Sequence, residues 1–300
     1  MTRVVVVGDA LIDELRDGRG VRELIGGAAL NVAVGLVRLG VPATLIAMVG
    51  DDEPGAHIRV YLRDYGVELL ATSWPVSARA VSVRSGGEPT YTFNGAARAR
   101  RVRFGDAERA AIASAAMTVV SSFPFDDPGQ GEQLADAVAG RPLAIDPNPR
   151  AGLLHDAEAF VRGFEALAAG AELVKVSDED ATRLYGSSLD ALRARLIGLG
   201  ARAVLATAGA QGAALEAGSI VVSRPVSPMP GRVVDTMGAG DAALAATVAA
   251  LVSGPPEDEA EWGKALQSAV DVAAATCRFE GGLLRRPSSL AGDDFDRIST

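Results

Sequence analysis

Residues 235–241 read DTMGAGD and come just before an alanine-rich stretch at 242–251 that is typical of a helix. Gly238 and Gly240 allow the chain to turn tightly where that helix begins. The first amide groups of a helix have no partner within it, and the helix dipole is positive at that end. We therefore predict that the backbone of Gly238, Ala239 and Gly240 forms a cradle for an anion such as a phosphate group.

Asp241 falls in the first turn of the same helix. A carboxylate there stabilises the helix dipole, and for an isolated aspartate this is the simpler explanation. Beside an anion site, the carboxylate is also suited to accept a proton from a hydroxyl group that attacks a phosphoryl group held in the cradle. The segment thus indicates phosphoryl transfer, with Asp241 as the general base.

Composition and charge fit an enzyme of ordinary globular type. The chain has 300 residues, of which 48% are hydrophobic and 22% charged, enough for one large α/β domain with a substantial core. A formal net charge of −9 argues against general affinity for nucleic acid or an anionic membrane. One cysteine and two distant histidines argue against disulfides and a His/Cys zinc cluster. Without a recognisable signal peptide or membrane span, we expect a cytoplasmic protein.

Short β-branched runs alternate with helical stretches along the chain, which indicates crossover units around a mainly parallel sheet. Because these runs are apolar without interruption, we expect helices on both faces of the sheet. The predicted fold class is therefore α/β, with three α/β/α layers in a single domain over residues 1–300. Strands are predicted at 4–7, 43–49, 118–122, 143–145, 173–176 and 203–207. Helices are predicted at 28–39, 56–65, 107–115, 131–138, 157–168, 189–199, 242–251 and 258–278.

Two regions, about 11–24 and 76–95, break this alternation. In the second, apolar and aromatic residues alternate on either side of Ser-Gly-Gly-Glu-Pro at 85–89, which is typical of a β-hairpin. The hairpin need not belong to the main sheet. A surface hairpin without a function is the alternative.

The N-terminal third supplies a second group of polar residues. Asp9 follows the first strand, where ligands of open α/β folds usually bind, although Asp9 and Asp13 are also explained as solvated loop acids. The glycine pair before the helix at 28–39 permits close approach of a ligand to the backbone at Gly27. Asn31 stands among apolar residues and needs a hydrogen-bond partner, which a core contact would also provide.

Two of these segments, DTMGAGD at 235–241 and GGAALNVAVGLVRLG at 26–40, resemble the signatures DTxGAGD and GGAxxNVAxxLxRLG of the ribokinase-like (PfkB) carbohydrate kinases. The resemblance implies a ribokinase-like fold in which the two excursions form a small β-sheet lid over the sugar. It also implies ATP as the phosphoryl donor, Asp241 as the base and the cradle as the anion hole. By the same resemblance Asp13, Gly27 and Asn31 bind sugar hydroxyls, and Asp9 is a further candidate.

Weaker matches concern the nucleotide and the metal. The turn TAGAQG at 207–212 resembles the TxGxxG nucleotide segment of the family. We therefore predict ATP contacts from Thr207, Gly209 and Gly212, and from Lys175 as a fourth residue. The alternative explanation of the turn is a tight link between two strands. The family ties an Asn-x-x-Glu pattern to Mg²⁺, and this chain has the shorter Ser177 and Asp180 there. A helix N-cap explains that pair as well. Asp235 is the third metal candidate, and family members often hold a monovalent cation such as K⁺ beside its segment.

The acceptor is predicted to be fructose, because GDALID at 8–13 and DPNPR at 146–150 look most like fructokinases. A Pro-rich turn is the plain explanation of DPNPR, although Arg150 suits a phosphate or a sugar-acid carboxylate. Against fructose, Asn94 and Gly95 stand where fructokinases usually carry an aromatic residue and an arginine. 2-Keto-3-deoxygluconate, ribose and other pentoses or hexoses therefore stay open.

Other classes of protein fit the sequence less well. The first strand is not followed by the G-x-G-x-x-G of a nicotinamide-dependent oxidoreductase, and no Walker A pattern of a P-loop kinase occurs. A sugar-binding regulatory protein derived from a kinase is the remaining alternative, favoured by the altered Ser177 and Asp180.

An exposed lid sheet would also pair across a homodimer.

Overall fold

The computed structural model describes residues 2–18, 20–83 and 90–291, so the predicted turn at 85–89 lies outside the described residues. The strands are β1 (Val4–Gly8), β2 (Leu11–Asp17), β3 (Gly20–Gly26), β4 (Ala43–Gly50), β5 (Glu68–Trp74), β6 (Arg79–Val83), β7 (Thr90–Phe93), β8 (Met117–Ser121), β9 (Leu143–Asp146), β10 (Leu173–Ser177), β11 (Ala203–Thr207), β12 (Ala213–Ala217) and β13 (Ile220–Arg224). The helices are α1 (Ala28–Arg38), α2 (Glu53–Asp64), α3 (Gly95–Arg98), α4 (Asp106–Ser114), α5 (Pro128–Val138), α6 (Ala157–Ala168), α7 (Asp178–Asp180), α8 (Leu189–Leu199), α9 (Ala239–Ser253) and α10 (Glu259–Thr276).

The larger sheet has the strand order β13-β12-β11-β10-β9-β8-β1-β4-β5. From β11 to β5 all neighbouring strands run parallel, whereas β12 and β13 are antiparallel additions at one edge. The six predicted strands are confirmed. The prediction missed β5, whose sequence ELLATSW mixes polar and apolar residues because it is a half-exposed edge strand, and it missed β12.

Helices cover both faces of this sheet, as predicted. Val4 and Val6 of β1 point to a core shared with α1, α9 and α10, whereas Val5 and Val7 point to a second core with α5, α6 and α8. Successive side chains of a strand face opposite sides, so an uninterrupted apolar run is the expected sequence of a strand buried on both faces. The three-layer α/β/α fold is confirmed.

The smaller sheet has the order β3-β2-β6-β7. β2 and β6 run parallel, and the other two pairs are antiparallel. One part of this sheet is buried in a small apolar cluster, where Leu11, Ala80 and Phe93 pack with Leu153 from the chain that follows β9. Arg22 of β3 also forms an ion pair with Glu280, at 2.9 Å between Nη2 and Oε1. The sheet is therefore attached to the main body beside the end of β1 and the chain that follows α10.

None of the helices in the ranges given above is both long and apolar enough to cross a membrane.

Candidate active site

Several polar side chains lie at one edge of the larger sheet. β1, β8, β9 and β10 are parallel neighbours, so their carboxyl ends meet at this edge. Asp9 follows β1, Asp146 ends β9 and Ser177 ends β10. The first turn of α9 faces the same edge. The Asp241 carboxyl group in this turn lies close enough to Asp146 and Lys175 for their charges to change its pKa.

Asp241 and Asn31 contact each other directly. Asn31 lies in α1 and Asp241 in α9, two helices that pack together, and the Asn31 Nδ2 donates to Asp241 Oδ2 at 2.9 Å. Burial raises the pKa of Asp241 to about 7, helped by the negative charge of Asp146 and opposed by the Asn31 hydrogen bond and by Lys175. A carboxylate with this pKa is half ionised near neutral pH, which suits a general base. The partner that the buried Asn31 was predicted to need is thus the predicted base.

The cradle at 238–240 has the backbone shape that the glycines allow. Gly238 is the N-cap of α9 with φ of +76°, and no side chain caps the helix. A Cβ at Gly238 would also stand 2.4 Å from the Cα of Gly282. The position therefore admits glycine alone. The Ala239 amide donates to the carbonyl oxygen of Thr236 at 3.3 Å, a long bond that an anion can replace, and no side chain caps the other amides that begin α9.

A buried ion pair supports the cradle from the sheet side. Lys175 Nζ contacts Asp146 Oδ1 at 3.2 Å, and both side chains are buried. Burial alone would lower the pKa of Lys175, but the charges of Asp146, Asp180 and Asp241 outweigh it and raise the pKa, so the ammonium stays charged. A Cβ on Gly240 would lie only 3.1 Å from Nζ. The lysine thus adds a fixed positive charge next to the helix N-terminus.

Asp13 and Gly27, predicted to bind sugar, lie together near Asp241. Burial and the negative charges of Asp9, Asp241 and Asp235 together raise the pKa of Asp13 to about 7, against the attraction of Arg150. Gly27 has φ of +110°, and a Cβ there would stand 2.8 Å from the carbonyl oxygen of Asp9. Asp9 accepts a hydrogen bond from the Ala29 amide at 3.1 Å. The electrostatic coupling of these carboxyl groups makes one acidic region beside the cradle.

The residues predicted to contact nucleotide lie on two adjacent strands. Ser177 of β10 pairs with Thr207 of β11, so Lys175 and the turn after Thr207 share one side of the site. Gly212 closes the link between β11 and β12, and a Cβ there would stand 2.1 Å from the carbonyl oxygen of Arg224. Gly212 is accounted for by this tight strand connection. Gly209, in contrast, faces open space.

The three predicted metal residues make contacts within the protein. Ser177 and Asp180 form a capping box at α7, with the Ser177 amide donating to Asp180 Oδ2 at 2.7 Å. Asp235 accepts from the amides of Met237 and Gly281, at 3.2 and 3.3 Å. Within residues 2–18, 20–83 and 90–291, no three His, Cys, Asp or Glu side chains converge as a metal site. Any Mg²⁺ here needs phosphate oxygens to complete its ligand set, which is its usual mode of binding in kinases.

Comparison with known proteins gives the family. The sequence profile described as pfkB family carbohydrate kinase matches residues 1–287. The chain belongs to the PfkB family of carbohydrate kinases. Its relatives include a fructokinase of Klebsiella pneumoniae, 30% identical over 309 residues with 98% of each chain covered. A fructokinase of Rhizobium leguminosarum bv. trifolii is 32% identical over 266 residues, covering 83% of this chain and 79% of the relative.

A solved structure of a kinase shares the fold. It is the aminoimidazole riboside kinase of Salmonella enterica, complexed with aminoimidazole riboside and an ATP analog. The two superpose with a TM-score of 0.78 over 97% of this chain and 99% of the kinase, at 23% identity. The protein is thus a sugar kinase of the PfkB family with a ribokinase-like fold.

Two residues of this sugar kinase's site were not singled out from the sequence. Asp146 was explained as part of a Pro-rich turn, yet it is fully buried and contacts Ser121 and Lys175. Its position at the end of an apolar strand, like that of Asp9, was the signal available. Arg150 was named only as one reading of DPNPR, yet its positive charge acts on Asp9, Asp13 and Asp241.

Proposed function

We propose that this sugar kinase transfers the γ-phosphoryl group of ATP to a primary hydroxyl group of fructose. The observation that carries the proposal is Asp241, a carboxyl group with a pKa of about 7 at the uncapped N-terminus of α9. The two fructokinase relatives at 30% and 32% identity support the acceptor. The bound ATP analog of the structural neighbour supports the donor.

In the proposed mechanism, Asp241 accepts the proton of the attacking hydroxyl as the new P–O bond forms, while the bond from the γ-phosphorus to the oxygen shared with the β-phosphate breaks and ADP leaves. The amides of Gly238, Ala239 and Gly240 donate hydrogen bonds to the negative charge that develops on the transferred group. Lys175 adds its charge beside Gly240, and Asp146 holds the ammonium there. The step needs no other side chain to move a proton.

The remaining predicted residues take binding roles. Asp13, Gly27, Asn31 and Asp9 hold the acceptor, while Thr207 and Gly209 contact the nucleotide. Mg²⁺, when bound with ATP, neutralises phosphate charge, and Asp180, Ser177 or Asp235 would hold it directly or through its waters. The smaller sheet acts as a lid that excludes water from the transferred phosphoryl group.

A sugar acid such as 2-keto-3-deoxygluconate is the second candidate acceptor, and Arg150 is the observation that favours it. Within the described part of the chain, the Arg150 guanidinium makes no hydrogen bond or ion pair, although Asp241, Glu179, Asp9 and Asp146 all attract it. Such a group suits a carboxylate. Asn94, at a position where fructokinases usually carry an aromatic residue, instead caps α3 through the Ala97 amide.

An ADP-release assay tests both acceptors. The protein is mixed with ATP, Mg²⁺ and each member of a panel of fructose, other hexoses, ribose, 2-keto-3-deoxygluconate and nucleosides. We expect turnover with fructose that falls about 10²–10⁴-fold in Asp241→Asn. Turnover with the sugar acid alone supports the second candidate. If no acceptor exceeds the variant's rate, the kinase proposal falls and a sugar-binding regulatory role replaces it.

We also propose that the lid sheet pairs across a homodimer. Val21 and Tyr91 on this sheet are 63% and 48% exposed, which supports a surface that another chain covers. Sedimentation equilibrium over a range of concentrations tests it, with a dimer expected and a monomer at every concentration as the contrary result.

A further inference from the structure

A small cavity lies between the end of β1, the segment that follows α3 and the segment that follows β8. Its volume is about 20 Å³. Its lining is mostly apolar, from residues such as Met48, Phe123 and Leu153, but it also includes Asp9, Arg100 and Ser122. The functional predictions above do not use Arg100 or Ser122. One acid, two arginines and one hydroxyl thus line an otherwise apolar pocket, and of the two arginines Arg101 is exposed to solvent.

Arg100 is a half-buried cation without a full set of partners. Its Nη1 donates to the carbonyl oxygen of Leu153 at 3.2 Å, whereas its buried Nε finds no acceptor among the described residues. Burial lowers the pKa of Arg100, although the carboxylates of Asp9 and Asp126 attract the guanidinium without forming an ion pair with it. An unpartnered buried donor is unfavourable, so this Nε favours any ligand that brings an oxygen.

Asp9 is the complementary group on the same cavity. Burial raises its pKa, against the hydrogen bonds from Ala29 and Ser122 and the attraction of Arg100 and Arg150. Ser122 reaches Asp9 from a backbone with φ of +54°, in the left-handed region that few non-glycine residues adopt. The local backbone therefore holds Asp9 as a hydrogen-bond acceptor next to a donor that it does not contact.

We propose that this cavity is a subsite for one hydroxyl group of the acceptor, bound between Asp9 and the Nε of Arg100. A hydroxyl both donates and accepts, so one group satisfies the carboxylate and the guanidinium together. The volume fits a group of about the size of a water molecule, for which roughly 10–15 Å³ is sufficient. A carboxylate or phosphate is larger and would meet the negative charge of Asp9. The inference rests on the proposed function, because it names a specificity-determining contact within that sugar site.

The subsite adjoins the residues already assigned to the acceptor. The carbonyl oxygen of Asp9 accepts from the Leu30 amide at 3.2 Å, in the first turn of the helix that carries Asn31. The negative charge of Asp9 also raises the pKa of Asp13. The cavity therefore adjoins, through Asp9, the residues proposed to hold the sugar.

The test combines Arg100→Met with monodeoxy analogues of fructose. Methionine keeps the length of the side chain and removes the donor. Arg103→Met, in the same basic run but exposed and outside the cavity lining, is the matched control. Binding is measured by calorimetry, KM and kcat by ADP release, and folding by thermal unfolding.

We expect one deoxy analogue to bind the natural enzyme about 10–100-fold more weakly than fructose, as the loss of a hydrogen bond to a charged group predicts. Arg100→Met weakens the binding of fructose by the same factor, seen as a higher KM with little effect on kcat. It leaves the binding of that analogue unchanged. Arg103→Met changes neither. Equal weakening of every analogue by Arg100→Met, or fructose binding as tight as in the natural enzyme, overturns the proposal.

Two further results separate this inference from the proposed function. If Arg100→Met does not fold, the analogue series on the natural enzyme decides, and the absence of any affinity loss among the deoxy sugars overturns the subsite. If calorimetry gives the expected pattern but no sugar is phosphorylated, the subsite stands and the kinase proposal falls.

Discussion

Replacing Asn31 by alanine changes the pH dependence of the reaction in a defined direction. The change removes the hydrogen bond from Asn31 Nδ2 to Asp241 Oδ2, which lowers the pKa of Asp241 in the natural protein. A hydrogen bond to a charged group contributes about 1.5–3 kcal/mol, and one pKa unit corresponds to about 1.4 kcal/mol. Water entering the vacated space replaces part of this. We therefore expect the pKa of Asp241 to rise from about 7 by roughly one unit.

The assay is kcat/KM for the acceptor from pH 5.5 to 9.5. The general base works only when ionised, so activity appears as the pH rises through the pKa of Asp241. In Asn31→Ala the midpoint of this rise moves up by about one unit, and the activity ratio of natural enzyme to variant is about tenfold larger at pH 6 than at pH 9. This shift is separate from any uniform loss of sugar binding, which lowers the whole profile without moving it.

Thr247→Val is the control for disturbance of α9. The Thr247 hydroxyl donates within the helix to the carbonyl oxygen of Ala243 at 2.9 Å, six residues beyond the base. We expect an unchanged midpoint in this variant. A midpoint that stays in place in Asn31→Ala, or moves to lower pH, refutes the reasoning that Asn31 sets the ionisation of Asp241.

Three further substitutions test the same site. Asp241→Asn should raise the unfolding temperature more at pH 8 than at pH 4: the pKa of the buried carboxyl is raised from 3.8 to about 7, so the natural protein loses stability as the pH rises between these values. An extra gain at pH 8 of less than about 2 °C, the effect of ~1 kcal/mol, would count against it. Gly240→Ala should lower kcat roughly 10–100-fold with little change in unfolding temperature, since the new Cβ would stand 3.1 Å from Lys175 Nζ and displace it. Gly131 faces open space, so Gly131→Ala should leave kcat unchanged. Equal effects of the two substitutions on kcat would contradict the role of the lysine. Asp146→Asn should destabilise the protein by about 3–5 kcal/mol in urea unfolding, because it leaves the buried Lys175 ammonium unpaired. It should also move the pH midpoint of kcat/KM down, opposite to the effect of losing Asn31, since the charge of Asp146 raises the pKa of Asp241. A shift upward would be inconsistent with that charge effect.

The sequence was sufficient for the parts of the fold and site that depend on local chemistry. Gly238 is required by a left-handed backbone and by contact with Gly282, so the glycine pattern marked the start of α9. Asn31 stood alone among apolar neighbours, which indicated a buried partner. Uninterrupted apolar strands indicated a sheet covered on both faces.

The remaining parts depend on contacts between residues far apart in the chain. Asp146 has the sequence surroundings of an ordinary turn, and its importance comes from Lys175, 29 residues away. Arg100 lies in the basic run RARRVR at 98–103, which no prediction from the sequence used, yet its Nε is buried and Asp9 attracts its guanidinium. β5 was missed because an edge strand carries polar residues that hide its period. Tertiary neighbours, not local pattern, decide these positions.

Transfer of the γ-phosphoryl group to the sugar is the most direct test of the central claim. The protein is incubated with ATP labelled in the γ-phosphate, Mg²⁺ and fructose, and the products are separated by chromatography for the natural enzyme and for Asp241→Asn. The account predicts labelled sugar phosphate from the natural enzyme, and about 10²–10⁴-fold less from the variant. Labelled inorganic phosphate without sugar phosphate, or equal transfer by the variant, would contradict it.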